Sequence, residues 1–291
     1  MFVASGKPAK IGADGKWSAL NFTLPPECAT PGFVVSAGEV AAFGQSGNKG
    51  SPLAFFRRSA DTFSLLHTAS TKTVLARLRI SPDGQRVVTC NSYNTIEVFD
   101  VETGRRLCEC DGARVRSISD LGWLGHDRLV GIGTRGDRGQ PAAEEWIILW
   151  DAATGRVLRE TRHSTAMDQL ATAPDGRTFA EGGEDKRVRI RDAQTLEVLR
   201  EFRAHDGAIS ALAFHPTKPV LASAAMDFTV RLWNPADASL IEELRLSSAE
   251  SARACPAPGR WPYSSLRPGA CSVLSTSSEE RCCLALPPIA A

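Results

Sequence analysis

Three residues of the types used in hydrolysis stand close together in the chain: His205, Ser223 and Asp227. A serine is a weak nucleophile until a base takes its proton, and an imidazole oriented by a carboxylate is a common base. Stepping back 42 residues from these three and from Trp233 gives His163, Glu181, Asp185 and Arg191. Two carboxylates and an imidazole could bind a metal or exchange protons, whereas Glu181 beside Arg191 would form a forked ion pair. Eight cysteines stand at positions 28, 90, 108, 110, 255, 271, 282 and 283, without the C-x-x-C pairs of a structural zinc site. Cys108 and Cys110 share one face of an expected strand, with too few ligands beside them for a metal, and are read as reduced thiols.

The elements that must hold these residues are short strands. Ile209 to Phe214 and Val220 to Ala225 are apolar runs, and Thr229 to Trp233 alternates with a period of two. Pro216 and Pro219 break the first two runs apart, a polar turn at Asp227 separates the second from the third, and Ser239 to Leu244 supplies a fourth. Equivalents of Trp233 recur at Arg191, Trp150, Phe99 and Phe56, in steps of 42, 41, 51 and 43. A pattern that returns at this period marks a repeat architecture.

With His205 placed 28 residues before Trp233, the stretch from Ala204 to Asn234 resembles one repeat of the WD40 family. Its Gly-His pair is Ala204-His205 here, its serine Ser223, its turn aspartate Asp227 and its Trp-Asp pair Trp233-Asn234. The resemblance implies an all-β fold, a WD40-like β-propeller with four clear blades and one degenerate blade, which the termini are candidates to complete. It also implies that Trp233, Ser223, His205 and Asp227 form a hydrogen-bonded structural clamp rather than a hydrolytic triad. At the same positions one repeat earlier, Glu181 and Arg191 replace the neutral Ser and Trp, so the clamp of His163, Glu181, Asp185 and Arg191 is expected to contain an ion pair.

The organisation read from spacing is an N-terminal segment at 1–31, repeats at 32–246 and a Ser-, Pro- and Cys-rich tail at 247–291. Trp17, 39 residues before Phe56, is either a remnant third strand of a blade closed by both termini or part of a frayed end. The tail is a disordered segment, a worn final blade or the product of a reading-frame change. The repeat at 32–70 lacks the His and Trp-Asp signatures and rests on spacing. The 51-residue step holds a Gly- and Pro-containing insertion between Ile132 and Trp146. Long loops on rigid scaffolds tend to carry function, which makes Arg135, Asp137 and Arg138 the expected partner contacts.

With 34 basic and 33 acidic residues the net charge is +1, so no broad field draws the chain to nucleic acid or an anionic membrane. The N-terminus lacks a signal-peptide core and no apolar run has membrane-spanning length, which leads to the expectation of a cytoplasmic protein. There is no phosphate-binding Gly-rich loop, H-E-x-x-H or G-x-S-x-G, and no cofactor is expected. Arg159 stands where quinone-dependent propeller repeats place a Trp, and Arg135-Gly136-Asp137 is too short to specify adhesion. The expected function is a non-catalytic protein–protein interaction scaffold, monomeric unless its ring is incomplete, with a protein or peptide partner. The alternatives are a propeller enzyme with a carboxylate-lined pocket and a detached sensor domain of a larger bacterial-type signalling protein.

Overall fold

The computed structural model describes residues 33–44, 51–59, 62–72, 75–91, 95–110, 115–135, 144–163 and 167–245, together with 2–4, 7–11, 17–19 and 26. An N-terminal sheet of three antiparallel strands comes first: β1 (Phe2–Ala4), β2 (Lys7–Ile11) and β3 (Trp17–Ala19). Trp17 opens the third of these strands, opposite Ile11. Residues 247–291, and with them the expectations for the tail, lie outside the described residues.

Five four-stranded sheets follow, each built from consecutive strands. The first holds β4 (Phe33–Ala37), β5 (Val40–Gly44), β6 (Pro52–Ser59) and β7 (Thr62–Ser70). The second holds β8 (Leu75–Ile80), β9 (Arg86–Asn91), β10 (Ile96–Asp100) and β11 (Arg106–Glu109). The third is β12 (Val115–Leu124), β13 (Arg128–Arg135), β14 (Glu144–Asp151) and β15 (Val157–His163). The fourth is β16 (Met167–Thr172), β17 (Thr178–Gly183), β18 (Arg187–Asp192) and β19 (Val198–Arg203). The fifth is β20 (Ile209–Phe214), β21 (Leu221–Ala225), β22 (Thr229–Trp233) and β23 (Leu240–Arg245). Four consecutive antiparallel strands per sheet is the blade form expected of a WD40-like β-propeller. Among the described residues no helix is long and apolar enough to cross a membrane.

The repeat marker has a structural meaning. Phe99, Arg191 and Trp233 lie near the end of a third strand and Phe56 within one, each at a shift of register against the fourth. A bulge there increases local twist and turns the marker side chain toward the interior. The fourth strands are the exposed ones: Leu65, Leu107, Leu158, Leu199 and Ile241 on them are all solvent-facing. The inner strands carry apolar runs because both of their faces are covered, as β21 shows with all five residues buried.

Contacts divide the chain into two units, and the third sheet contributes to both. In the first unit, which includes the first two blades, β4 packs beside β8. Ala42, Leu53, Phe55, Leu78, Val87 and Phe99 fill the core between these two sheets, and Phe43 meets Phe56 edge to face at 5.3 Å. In the second unit β16 packs beside β20. There Val130, Ile147, Leu170, Phe179 and Leu196 form one cluster, and Ile190, Ile209, Leu221 and Trp233 belong to the next.

The turn from third to fourth strand is the most regular small feature. Asp100, Asp151 and Asp192 each accept hydrogen bonds from the backbone N–H and the hydroxyl of a Thr three residues on. Such local acceptors are why Asp-x-x-Thr makes a tight turn. The residue after the Thr, or its equivalent, is left-handed in four blades: Gly104, Gly155, Leu196 and Ala238. For a side-chain-bearing residue this conformation costs about 1–2 kcal/mol. At Gly155 there is a second constraint, because an added Cβ would strike the Glu109 carbonyl oxygen and approach the Cys110 Cα to 3.0 Å. Gly155→Ala is therefore expected to destabilise the protein by more than about 1 kcal/mol, and Ala238→Gly to stabilise it by about 0.5–1 kcal/mol. Urea-unfolding midpoints of the two variants check this, and shifts of the same sign would contradict it.

Candidate functional site

In the fifth blade the local chain order fixes the site. His205 precedes β20, Ser223 is central in β21, Asp227 sits in the turn between β21 and β22, and Trp233 ends β22 opposite Leu221. The Trp233 indole Nε1–H donates to Ser223 Oγ at 2.8 Å, and Ser223 Oγ lies 2.7 Å from His205 Nε2. His205 Nδ1 is 3.0 Å from Asp227 Oδ2, and Asp227 also accepts the Asp206 N–H at 2.9 Å and the Thr229 hydroxyl at 2.7 Å. Gly207 completes the corner, since an added Cβ would come within 2.5 Å of the Asp227 backbone nitrogen.

Charges follow from this geometry. Burial lowers the His205 pKa despite the neighbouring Asp227, so the ring is neutral at pH 7. Burial opposes ionisation of Asp227, but the Asp206 N–H, the Thr229 hydroxyl and the imidazole outweigh it and hold the carboxyl at about 2. One proton arrangement satisfies every group: indole to serine, serine to Nε2, and Nδ1–H to the carboxylate. The Ser–His–Asp distances are those of a hydrolytic triad, yet Ser223 and His205 are each only 1% exposed. The serine is sealed between an indole and an imidazole, where no substrate carbonyl can reach it.

The fourth blade is wired differently. Arg191 Nε donates to Glu181 Oε1 at 2.9 Å, while its Nη1 donates to the Leu196 carbonyl at 2.7 Å. The expected two-pronged contact on the carboxylate is thus split: one prong holds Glu181 and the other holds the left-handed turn residue Leu196. His163 Nε2 lies 3.5 Å from Glu181 Oε1, and the other oxygen, Oε2, has no hydrogen-bond partner. Burial pushes the Glu181 carboxyl above its ordinary range, against the opposing pull of Arg191 and His163. Asp185 instead meets Arg189 Nη2 at 2.5 Å. Among the described residues no group of three or more His, Cys, Asp or Glu is arranged to hold a metal ion.

Of the expected partner contacts, Arg135 ends β13, and Asp137 and Arg138 lie outside the described residues. The chain re-enters the sheet at β14, where Glu145 has a buried Oε2 without a hydrogen-bond partner. Burial and the nearby Asp168 push the Glu145 carboxyl up to about 7. Asp168, on the bulge of β16, is itself raised by burial and by Glu184. The sequence offered no signal for this trio, whose members come from separate strands and a turn. Thr229 was also missed, although the Asp-x-Thr spacing of a capped turn was there to be read.

The two blades allow a direct exchange. Replacing one member of a buried pair strands the other, at a cost of about 3–5 kcal/mol. Glu181→Ser and Arg191→Trp are each expected to destabilise by about that much, and the double variant, which installs the fifth-blade pair, to recover at least half of the summed loss. A double-mutant cycle from urea unfolding measures this. Strict additivity would show that the pair is not coupled.

Comparisons with known proteins agree with this geometry. The WD domain, G-beta repeat family matches residues 196–234. The chain is 27% identical over 198 residues to "Protein HIR1" of Cryptococcus neoformans, covering 60% of this chain and 22% of that protein. It is 35% identical over 168 residues to "Actin-interacting protein 1" of Drosophila melanogaster (56% and 26% covered) and 26% identical over 172 residues to human "WD repeat-containing protein 36" (58% and 18%). The match thus spans about a quarter or less of the length of each of these relatives. Among solved structures, the computationally designed Ika8 protein shares the fold, with a TM-score of 0.57 at 21% identity over 72% of this chain and 60% of that one. The family match at residues 196–234 and the sealed hydrogen-bond chain of the fifth sheet make that segment a WD40 repeat, set in an all-β chain of five four-stranded sheets consistent with a β-propeller.

Proposed function

We propose that the protein is a non-catalytic interaction scaffold that captures a protein or peptide through the insertion between β13 and β14. The observation that carries this reading is where the reactive side chains are. His205, Ser223 and Glu181 are spent on internal hydrogen bonds behind almost complete burial. What the third sheet offers instead is a pair of neighbouring strands, β13 and β14, joined in the sequence by residues 136–143. Its WD40-repeat relatives support a protein-binding role in general terms, and the name of the Drosophila relative describes an actin-interacting protein. The enzyme alternative required Glu181 and Asp185 to converge, exposed, in a concavity. Glu181 is fully buried against Arg191, and Asp185 is engaged by Arg189, so that alternative is not favoured.

Within this reading Arg135, Asp137 and Arg138 are the first contacts. Charged groups steer encounter and give specificity, and β13 and β14 flank the insertion in the sequence. Deleting residues 135–143 is expected to abolish capture of bound proteins from cell extract, measured by affinity purification and mass spectrometry, with the melting temperature changed by only a few degrees. A shortened protein that captures the same set at the same yield would sink the proposal.

A further inference from the structure

The turn between β21 and β22 in the fifth blade presents two large apolar side chains to solvent. Met226 is 57% exposed and Phe228 50%, on either side of Asp227, whose carboxylate turns inward to His205. Phe228 is also left-handed, with a φ of 62°. A bulky side chain is an outlier there, in a conformation that glycine takes at no steric cost and asparagine tolerates. Strain of this kind persists where the surroundings over-determine it, and it clusters at functional sites. We propose that Met226 and Phe228 form a docking site for an extended peptide that carries one apolar residue and, three residues from it, a lysine or arginine.

The buried clamp holds this exposed pair in place. Asp227 accepts the Asp206 N–H at 2.9 Å and the Thr229 hydroxyl at 2.7 Å, in addition to its contact with His205. On the flanks, the Met226 N–H donates to the Ala208 carbonyl at 2.9 Å and the Phe228 N–H to the Ala225 carbonyl at 3.1 Å. A turn fixed in this way loses little freedom when a ligand settles on it. Aromatic residues and methionine are enriched at interfaces, and the flexible thioether adapts to an irregular partner. The site does not depend on the insertion between β13 and β14.

The charge of the occupant follows from the neighbouring turn. The Ala204 and His205 N–H groups donate to the Lys186 carbonyl at 3.0 and 3.2 Å, so the turn between β17 and β18 lies beside the segment that carries the clamp histidine. Glu184, 42 residues before Met226 and its repeat equivalent, is exposed on that turn. Asp168 is exposed at the register break of β16, between Met167 opposite Gly183 and Gln169 opposite Gly182. Asp185 is taken by Arg189, and Asp206 by Arg203 at 2.9 Å. Among the described residues this leaves Asp168 and Glu184, neither with a cationic partner, against Lys186, a balance that favours a basic ligand and opposes an acidic one. β16 packs beside β20, and packed sheets lie about 10 Å apart, a span that an extended peptide covers in three residues of about 3.3 Å each.

The test uses the intact chain, whose three methionines, Met1, Met167 and Met226, give three carbon-13 methyl signals; Met226 is the one absent from Met226→Gln. The probes are short Gly–Ser peptides carrying one Leu and one Arg three residues apart, in either order, with matched peptides in which Leu is replaced by Ser or Arg by Glu. A Leu/Arg peptide is expected to move the Met226 signal to saturation, and the matched peptides to bind at least about tenfold more weakly. In Phe228→Asn, which suits the left-handed turn, binding is expected to fall at least about tenfold while the urea midpoint does not fall. No movement, equal binding of all the peptides, or unchanged binding by Phe228→Asn would overturn the proposal. So would a Met226 signal that moves with protein concentration alone, which would assign the patch to a second copy of this chain. If Phe228→Asn does not fold, Met226→Gln carries the test, read by the anisotropy of a fluorescein-labelled Leu/Arg peptide, and unchanged binding there would contradict the assignment.

Discussion

The fifth blade depends on one continuous run of buried hydrogen bonds, from the Trp233 indole through Ser223 and His205 to Asp227. Each group would cost about 1–3 kcal/mol if left unpaired in the interior, so the run tolerates no gaps. Satisfied throughout, it joins the segment before β20, the middle of β21, the turn before β22 and the end of β22. Hydrophobic burial supplies most of the stabilisation but is non-directional. Polar groups with fixed directions, fully satisfied, add rigidity and help specify one packing.

The fourth blade shows what happens when the neutral pair is replaced by charges. Glu181 and Arg191 gain a charge-assisted bond, but their desolvation is costly and one carboxylate oxygen remains unpartnered. Arg191 has a second task that a tryptophan could not perform. It holds the carbonyl of Leu196, which occupies a left-handed position where the second and third blades use glycine. The strain at Leu196 is offset by its burial and by this bond.

Much of the fold was legible because its punctuation is local. The prolines at 216 and 219 and the turn at Asp227 separate strands at Ile209–Phe214 and Thr229–Trp233, and the marker steps of 42, 41, 51 and 43 residues find the other third strands. The four side chains of the fifth blade could be named through the resemblance of residues 204–234 to a WD40 repeat. The wiring of the fourth blade could not. Arg187, Arg189 and Arg191 alternate along β18, and only the three-dimensional arrangement shows Arg189 taking Asp185 and Arg191 taking Leu196. The same holds for Asp168, whose nearness to Glu145 and Glu184 arises from tertiary placement and has no sequence pattern.

Function rests on the sealed site being structural rather than reactive. The His205 ring decides this, because a working base must be reachable and must titrate near neutral pH, whereas a buried clamp must not. The most direct measurement is nitrogen-15 NMR of the His205 imidazole across pH 5 to 8. A ring that is neutral at pH 7 to 8 with Nδ1 protonated and Nε2 accepting, and that gains its second proton only below the ordinary 6.5, is the result this account predicts. A ring that gains its second proton at or above 6.5, with both nitrogens exchanging freely with solvent, would contradict it.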